Sequence, residues 1–314
     1  IMKKRYVILG TIFIVLVGYF IYGSFDTKKE INLPVPTIKR VADMDNIVVS
    51  LDQINNKDLT VQEIESVNNY FSNKSPENLS KTKTIVDKYS SQLKGFESAI
   101  KKPYWSNKNI PENNLITKDL ALPPLGPTRN LVRLYVLQLE NNLVAGAITK
   151  SAYQDKLQNI YDFGSKIENG SYAHIEFLVG KSIKAMAYEQ AVLNKFTLKE
   201  SVVSKERKEQ ILLSEFAMSK DFLSKSKQEM RSVLDSTFSF SELIPLYIPF
   251  VFHKNRTLGY FAAEIPNALS YIENGNCKLY VPTREFHWYD WLTPNSFGKK
   301  MLSEVLVLPQ SLCE

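Results

Sequence analysis

Cysteine, histidine and glycine are scarce in this 314-residue chain, and their scarcity removes several classes of protein. Only two cysteines and three histidines are present, which excludes a disulfide-rich scaffold, and the histidines form no HxxxH or HExxH metal motif. The 12 glycines make no phosphate-binding loop of the GxxxxGK type. No segment therefore implies a metal ion or another cofactor, and no catalytic signature is present.

The chain is basic, but it has no basic patch. Its formal net charge is +6, with a pI near 9.0, and Lys3, Lys4 and Arg5 supply half of that excess. Nucleic-acid-binding domains usually cluster Lys and Arg on one face or along one helix, so no nucleic-acid partner is indicated. A hydrophobic fraction of 44% with 23% charged residues is typical of a folded globular chain.

Residues 6–22, YVILGTIFIVLVGYFIY, form an uncharged apolar segment. A helix of this length is at the short end of what crosses a hydrocarbon core about 30 Å thick. Tyr6, Tyr19 and Tyr22 suit the aromatic belts at the two membrane interfaces. The lipid bilayer is therefore an expected partner of this segment.

Positive charge precedes the apolar segment, whereas acidic and basic residues nearly cancel after it. The positive-inside rule therefore predicts a single-pass signal anchor in a bacterial plasma membrane, with the N-terminus cytoplasmic and the C-terminal part extracytoplasmic. The alternative is a cleaved signal peptide. It is disfavoured because Ile21 or Tyr22 would occupy the position before the cleavage site that requires a small residue.

This interpretation divides the chain into three regions. Residues 1–25 are the basic tip and transmembrane anchor. Residues 26–40, which contain Pro34 and Pro36, are an extended stalk, and residues 41–314 are a folded extracytoplasmic domain. Prolines interrupt residues 103–127, which makes this long connection a possible internal boundary of the domain.

Helical patterning dominates the folded domain. Thr60 and Glu63 have the spacing of a capping box before an apolar stripe, and a second stripe with a period of three to four covers residues 85–100. No alternation of apolar and polar residues is long enough to build a sheet. We therefore predict an all-α fold, in which the transmembrane helix is followed by an irregular helical bundle or a short α-solenoid.

The next segment predicts an antiparallel pair of helices. Thr128 is placed to cap a leucine-rich helix, and Ser151 with Gln154 has the spacing of another capping box. Asp162, Phe163 and Gly164 spell the magnesium-binding tripeptide of protein kinases, but none of the other kinase motifs accompanies it. We place Gly164 near the end of the second helix and a turn at residues 169–170.

Four segments resemble parts of a class of bacterial proteins that have an N-terminal membrane anchor and a helical ectodomain of about this length. They are LGPTRNLVRLYVLQLE (125–140), SKIENGSYAHIEFLVGKSIKAMAYEQAVL (165–193), KNRTLGYFAAEIPNAL (254–269) and TPNSFGKKML (293–302). The resemblance implies architecture and location, and it implies no activity.

An aromatic cluster near the C-terminus is the candidate binding surface. Its members are Phe286, His287, Trp288, Tyr289 and Trp291. Exposed rings in this proline-flanked loop would contact a sugar face, a peptide or the membrane interface, whereas buried rings would simply cover the end of the helices.

The two cysteines, Cys277 and Cys313, are a candidate disulfide in an oxidising compartment, and two unpaired thiols are the alternative. With no catalytic group identified, we expect a membrane-tethered envelope protein that binds or scaffolds an envelope protein or a glycan. The alternative is an envelope hydrolase that acts on glycan or peptide through carboxylates from separate helices.

Overall fold

The computed structural model describes residues 34–54, 59–108, 122–224, 253–276, 280–282, 295 and 312. Within these ranges the regular structure is helical, apart from isolated bridge residues such as the pair Asn46 and Tyr104. The nine α-helices of the described ranges are α1 (Ile47–Gln53), α2 (Val61–Ser72), α3 (Pro76–Lys88), α4 (Ser90–Ala99), α5 (Leu125–Val144), α6 (Lys150–Gly170), α7 (His174–Leu193), α8 (Lys205–Ser224) and α9 (Lys254–Glu273). The all-α fold class is therefore confirmed for this part of the chain.

The predicted anchor at residues 6–22 lies outside the described residues. Among the helices just named, none combines the length and the apolar character needed to cross a membrane.

The chain divides into two compact units. The first, which we call the helical unit, comprises Thr37–Leu115 and Asp119–Arg207, and it contains α1 to α7. The second comprises Ile1–Pro36, Ile116–Lys118 and Lys208–Glu314, and it contains α9.

The helix starts in the helical unit follow from local capping chemistry. The hydroxyl of Thr60 accepts a hydrogen bond from the Glu63 N–H at 3.3 Å, and the Glu63 carboxylate accepts one from the Thr60 N–H at 2.8 Å. The predicted capping box is therefore confirmed. At α3 the Ser75 hydroxyl accepts from the Asn78 N–H at 3.2 Å, and Pro76 occupies the first turn, where a missing N–H costs nothing.

Two predicted helix caps lie four and two residues beyond the observed ones. The helix α5 begins at Leu125 with Pro124 at its N-cap, so Thr128 lies inside the first turn, where its hydroxyl donates to the Pro124 carbonyl at 2.8 Å. The helix α6 is capped by Thr149, whose hydroxyl accepts from the Ala152 N–H at 3.2 Å, so the box predicted two residues later is not the cap. At α6, Thr149 and Ser151 offer the same hydroxyl chemistry two residues apart, and their spacing alone does not choose between them, whereas α5 begins without a side-chain cap.

The apolar stripe over residues 85–100 is divided between two helices. Tyr89 separates α3 from α4 with φ −99° and ψ 11°, which lies outside the helical region. Both halves nevertheless face the core, because Val86, Tyr89, Leu93 and Phe96 are all buried. The period of the stripe predicted the buried face correctly and missed the break in the backbone.

Edge-to-face aromatic contacts join the centre of the helical unit. The ring of Phe96 lies 5.6 Å from the rings of both Tyr135 and Phe163, and Phe163 lies 6.0 Å from Trp105. Such pairs add about 0.5–1.5 kcal/mol each to the effect of burial. The contacts connect α4, α5 and α6 to the proline-rich connection.

The described part of that connection is fastened to α7. The Trp105 indole N–H donates to the buried Glu176 carboxylate at 3.2 Å, and the same carboxylate accepts from the N–H groups of Tyr172 and Ala173 at 2.8 and 3.0 Å. A Cβ on Gly170 would lie 1.9 Å from the Trp105 carbonyl oxygen, so only glycine fits there. One carboxylate thus caps α7 and holds the connection.

The backbones of α6 and α7 meet at two glycines. A Cβ on Gly164 would lie 2.7 Å from the Gly180 carbonyl oxygen, and a Cβ on Gly180 would lie 2.8 Å from the Gly164 carbonyl oxygen. Next to this contact, Lys184 Nζ lies 2.8 Å from a carboxylate oxygen of Glu168, which is only 3% exposed. Gly164 is therefore a packing residue within α6, and residues 169–170 end that helix rather than forming the turn that the sequence predicts.

Buried polar contacts also organise the second unit. The Tyr280 hydroxyl donates to the buried Glu264 carboxylate of α9 at 2.9 Å. The Asn295 side-chain oxygen accepts from the His253 N–H at 2.7 Å and from the Thr257 hydroxyl at 3.1 Å, at the start of α9. These bonds attach short segments outside α9 to the helix.

We predict that Gly180→Ala destabilises the helical unit. The added methyl group has no room against the α6 backbone, and overpacking of this kind typically costs about 1–3 kcal/mol. Urea unfolding of the full-length protein, followed by circular dichroism, measures the change.

Gly126→Ala is the matched control, because Gly126 is also helical but has no atom within 4 Å of an added Cβ. Alanine favours helix more than glycine does, so this variant should be as stable as the parent or slightly more stable. Equal stability of the two variants would contradict the close approach of α6 and α7.

Candidate functional site: the Glu140 cleft

The candidate site residues named from the sequence are not among those that the structure describes. The aromatic cluster at residues 286–291 and the pair Cys277 and Cys313 all lie outside the described residues, so both remain predictions. Among the described residues, no group of three or more His, Cys, Asp or Glu side chains is arranged to hold a metal ion.

A cleft of about 590 Å³ lies in the helical unit. This volume falls within the usual range of small-ligand sites, about 300–1,000 Å³. The cleft runs from the end of α2 along α3 to the C-terminal end of α5. It is lined by Tyr70, Lys74, Ser75, Pro76, Leu79, Ser80, Lys83, Val86, Asp87, Gln138, Glu140, Asn141, Asn142, Val144 and Ala145.

The carboxylate of Glu140 receives hydrogen bonds from two buried tyrosines. The Tyr70 hydroxyl donates to Oε2 at 2.6 Å, and the Tyr153 hydroxyl donates to Oε1 at 3.1 Å. The two tyrosines are only 3% and 0% exposed. They come from α2 and α6, so the carboxylate joins three helices at one point.

Gln190 of α7 completes the set of donors to this carboxylate. With its amide oriented to satisfy both neighbours, Gln190 donates to Glu140 Oε1 at 2.6 Å and accepts from Lys74 Nζ at 2.9 Å. Lys74 also lies 2.7 Å from Glu189 Oε1. A carboxylate offers about four acceptor positions, and three of those on Glu140 are thus taken.

The environment of Glu140 acts on the acidity of both tyrosines. Burial, together with the neighbouring carboxylate, raises the pKa of Tyr70 and of Tyr153 above the ordinary value of 10.0. The folded protein therefore retains protons that an unfolded chain would release. This contribution to stability is complete below about pH 10 and is lost as the pH rises above it.

Five polar side chains of the cleft make no hydrogen bond or ion pair with any described residue. Ser80, Lys83 and Asp87 follow one face of α3, whereas Gln138 and Asn142 lie one turn apart on α5. The carboxylate network and these five side chains differ in their chemistry. The network is satisfied internally, and the five side chains are available to a ligand.

The bonding of Glu140 favours recognition over reaction. Proton transfer or nucleophilic attack requires a carboxylate with accessible lone pairs and a tuned protonation state. The carboxylate of Glu140 instead accepts hydrogen bonds from Tyr70, Tyr153 and Gln190, which occupy its lone pairs and fix its position. Asp87 is the second carboxylate of the cleft, and it is exposed.

Comparison of the chain with known protein families, with curated proteins and with solved structures finds no match. The geometry of the cleft therefore carries the functional argument.

One signal in the sequence could have identified Glu140. It follows Leu134, Leu137 and Leu139 in a helix whose inward positions are mostly apolar, and it lies one turn from the buried Val136. A charged residue on a core-facing stripe requires a partner. The sequence carries no such signal for the partners themselves, because Tyr70, Tyr153 and Gln190 come from three other helices.

We predict that Tyr70→Phe lowers the free energy of unfolding. The substitution removes the donor that lies 2.6 Å from Glu140 and leaves a partly buried carboxylate with one fewer partner, which costs about 1.5–3 kcal/mol. Urea unfolding of the full-length protein gives the value.

Tyr188→Phe removes the same hydroxyl from a tyrosine that is 47% exposed, and it should leave stability unchanged. If both variants were as stable as the parent, the Glu140 network would not contribute to stability.

Proposed function

We propose that this chain is a single-pass bacterial membrane protein that holds its helical domain outside the cytoplasm and uses it to bind a partner without catalysis. The expected partner belongs to the cell envelope, either a protein or a glycan.

The membrane anchor and its orientation rest on the sequence. Residues 6–22 are uncharged and apolar, and Lys3, Lys4 and Arg5 precede them. The segment is long enough to form a short transmembrane span. The excess of positive charge before it over that after it favours a cytoplasmic N-terminus.

The binding role rests chiefly on the Glu140 cleft. Its walls belong to α2, α3 and α5, and the internally satisfied carboxylate of Glu140 ties α5 to α2 and to α6. Because rigid walls are already ordered before a ligand arrives, the protein loses less conformational entropy on binding. A preformed cleft with unused polar side chains on stable helices is therefore the arrangement expected of a binding site.

The second candidate, an envelope hydrolase, is favoured by the presence of Asp87 and Glu140 in one cleft. Hydrolysis of a glycosidic bond normally needs one carboxyl group as proton donor and the other as base or nucleophile. Because three donors occupy Glu140, we place binding first. Turnover of an envelope glycan or peptide that is lost in Asp87→Asn would reverse that order.

We predict that alkaline phosphatase fused after Glu314 is active in a bacterial host, because this enzyme matures only outside the cytoplasm. The full-length protein should also stay with membranes after a high-salt wash. Activity staining and fractionation measure both.

The matched control replaces Lys3, Lys4 and Arg5 by glutamine, which removes the charge difference and should reduce the fraction of chains with an active reporter. An inactive reporter on the parent chain would contradict the proposed orientation. A shortened, soluble product would instead demonstrate cleavage of the apolar segment.

We also predict a disulfide between Cys277 and Cys313, because an exported chain is oxidised and these are its only two thiols. Closing a loop of this length stabilises the fold by about 3–4 kcal/mol in the chain-entropy model. Labelling of the denatured, unreduced protein with a maleimide should find no free thiol; two labelled thiols per chain would refute the bond.

A further inference from the structure

The unused polar groups of the Glu140 cleft have a regular arrangement. On α5, Gln138 and Asn142 are separated by one helical turn, which places their Cβ atoms about 5–6 Å apart. Each side-chain amide can donate and accept a hydrogen bond. Neither amide is bonded to a described residue, so both functions remain available.

An extended peptide backbone matches this pair of amides. Its N–H and C=O groups recur on one side of the chain about every 6.7 Å, which is twice the rise per residue of a strand. The spacing of the peptide groups is slightly larger than that of the two Cβ atoms on the helix, and the long, flexible side chain of Gln138 can bridge the difference. Main-chain groups of a peptide can therefore meet Gln138 and Asn142 in succession.

The opposite wall carries one positive and one negative charge. Lys83 and Asp87 lie one turn apart on α3, both exposed, and neither is in an ion pair with a described residue. Their charges sum to zero, so the wall favours neither an anion nor a cation as a whole. It complements a ligand that carries both signs, as a peptide with acidic and basic groups does.

The apolar part of the cleft suits an aliphatic side chain better than a sugar ring. Val144 is 77% exposed at the rim, beside Ala145. Tyr70 is the one aromatic residue of the lining, and it is 3% exposed with its hydroxyl bonded to Glu140. A sugar would find no ring face on which to stack.

We propose that the Glu140 cleft binds an extended peptide segment of a few residues, with its backbone on Gln138 and Asn142 and its charged groups on Lys83 and Asp87. This ligand assignment rests on the binding function proposed above. It names the envelope partner as a protein that is recognised through an unfolded segment or a terminus.

The test uses the full-length protein in detergent micelles. Labelled protein is applied to an array of random nine-residue peptides, and retained peptides are synthesised with a fluorophore for anisotropy titration. We expect the double variant Gln138→Ala/Asn142→Ala to weaken binding by about fivefold to a hundredfold, because each lost hydrogen bond contributes roughly a factor of two to ten.

The matched control is Gln62→Ala/Asn68→Ala. It removes one glutamine and one asparagine amide from exposed positions of α2 that do not line the cleft. Alanine suits helices, so both double variants should fold, and only the cleft variant should lose affinity. A second variant, Lys83→Asp/Asp87→Lys, should favour peptides in which the order of the charged residues is reversed.

The remaining outcomes would contradict either the peptide ligand or the binding function. Failure to retain any peptide, or equal affinity of the cleft variant and the control, would refute the peptide assignment. Binding of an N-acetylhexosamine oligosaccharide that is lost in the cleft variant would replace the peptide by a glycan and leave the binding function intact. Cleavage of the retained peptide, detected by mass spectrometry, would refute the non-catalytic function itself.

Discussion

The contact between the backbones of Gly164 and Gly180 is the constraint on which the helical unit depends. With no side chain between them, α6 and α7 approach so closely that a Cβ on either glycine would overlap the backbone of the other helix. Tyr153 and Gln190 lie about three turns from this contact along their antiparallel helices, at the end opposite the connecting turn. Both therefore reach the carboxylate of Glu140, and they do so because the glycines fix the separation and register of the two helices.

The sequence predicted the helices better than their ends. Apolar residues at a spacing of three to four identify a buried face, and that signal persists through the break at Tyr89 because the same face continues into the next helix. Caps are harder, since Thr149 and Ser151 offer the same hydroxyl chemistry two residues apart. Gly164 was misplaced for another reason: glycine commonly ends a helix, and only the facing helix reveals that this one is needed for contact.

The candidate site could not be predicted, because it is a product of tertiary packing. Glu140 was visible as a charge on an apolar stripe, but its partners come from α2, α6 and α7, and the bond to Tyr70 spans 70 positions in the sequence. No local sequence pattern predicts such a tertiary contact. The aromatic loop at residues 286–291 drew attention for its composition, whereas the cleft consists of residues that are individually ordinary.

Only residues 171–173 separate α6 from α7, and this short connection bears on the order in which the fold assembles. Contacts between α6 and α7 join residues that are close in sequence, so they form with little loss of loop entropy. The hydrogen bonds of Asn46 with Ser106 and of Tyr70 with Glu140 connect positions 60 and 70 residues apart, and they must wait for distant segments to meet. We therefore expect the hairpin of α6 and α7 to form early and the walls of the cleft, which depend on long-range contacts, to be completed later.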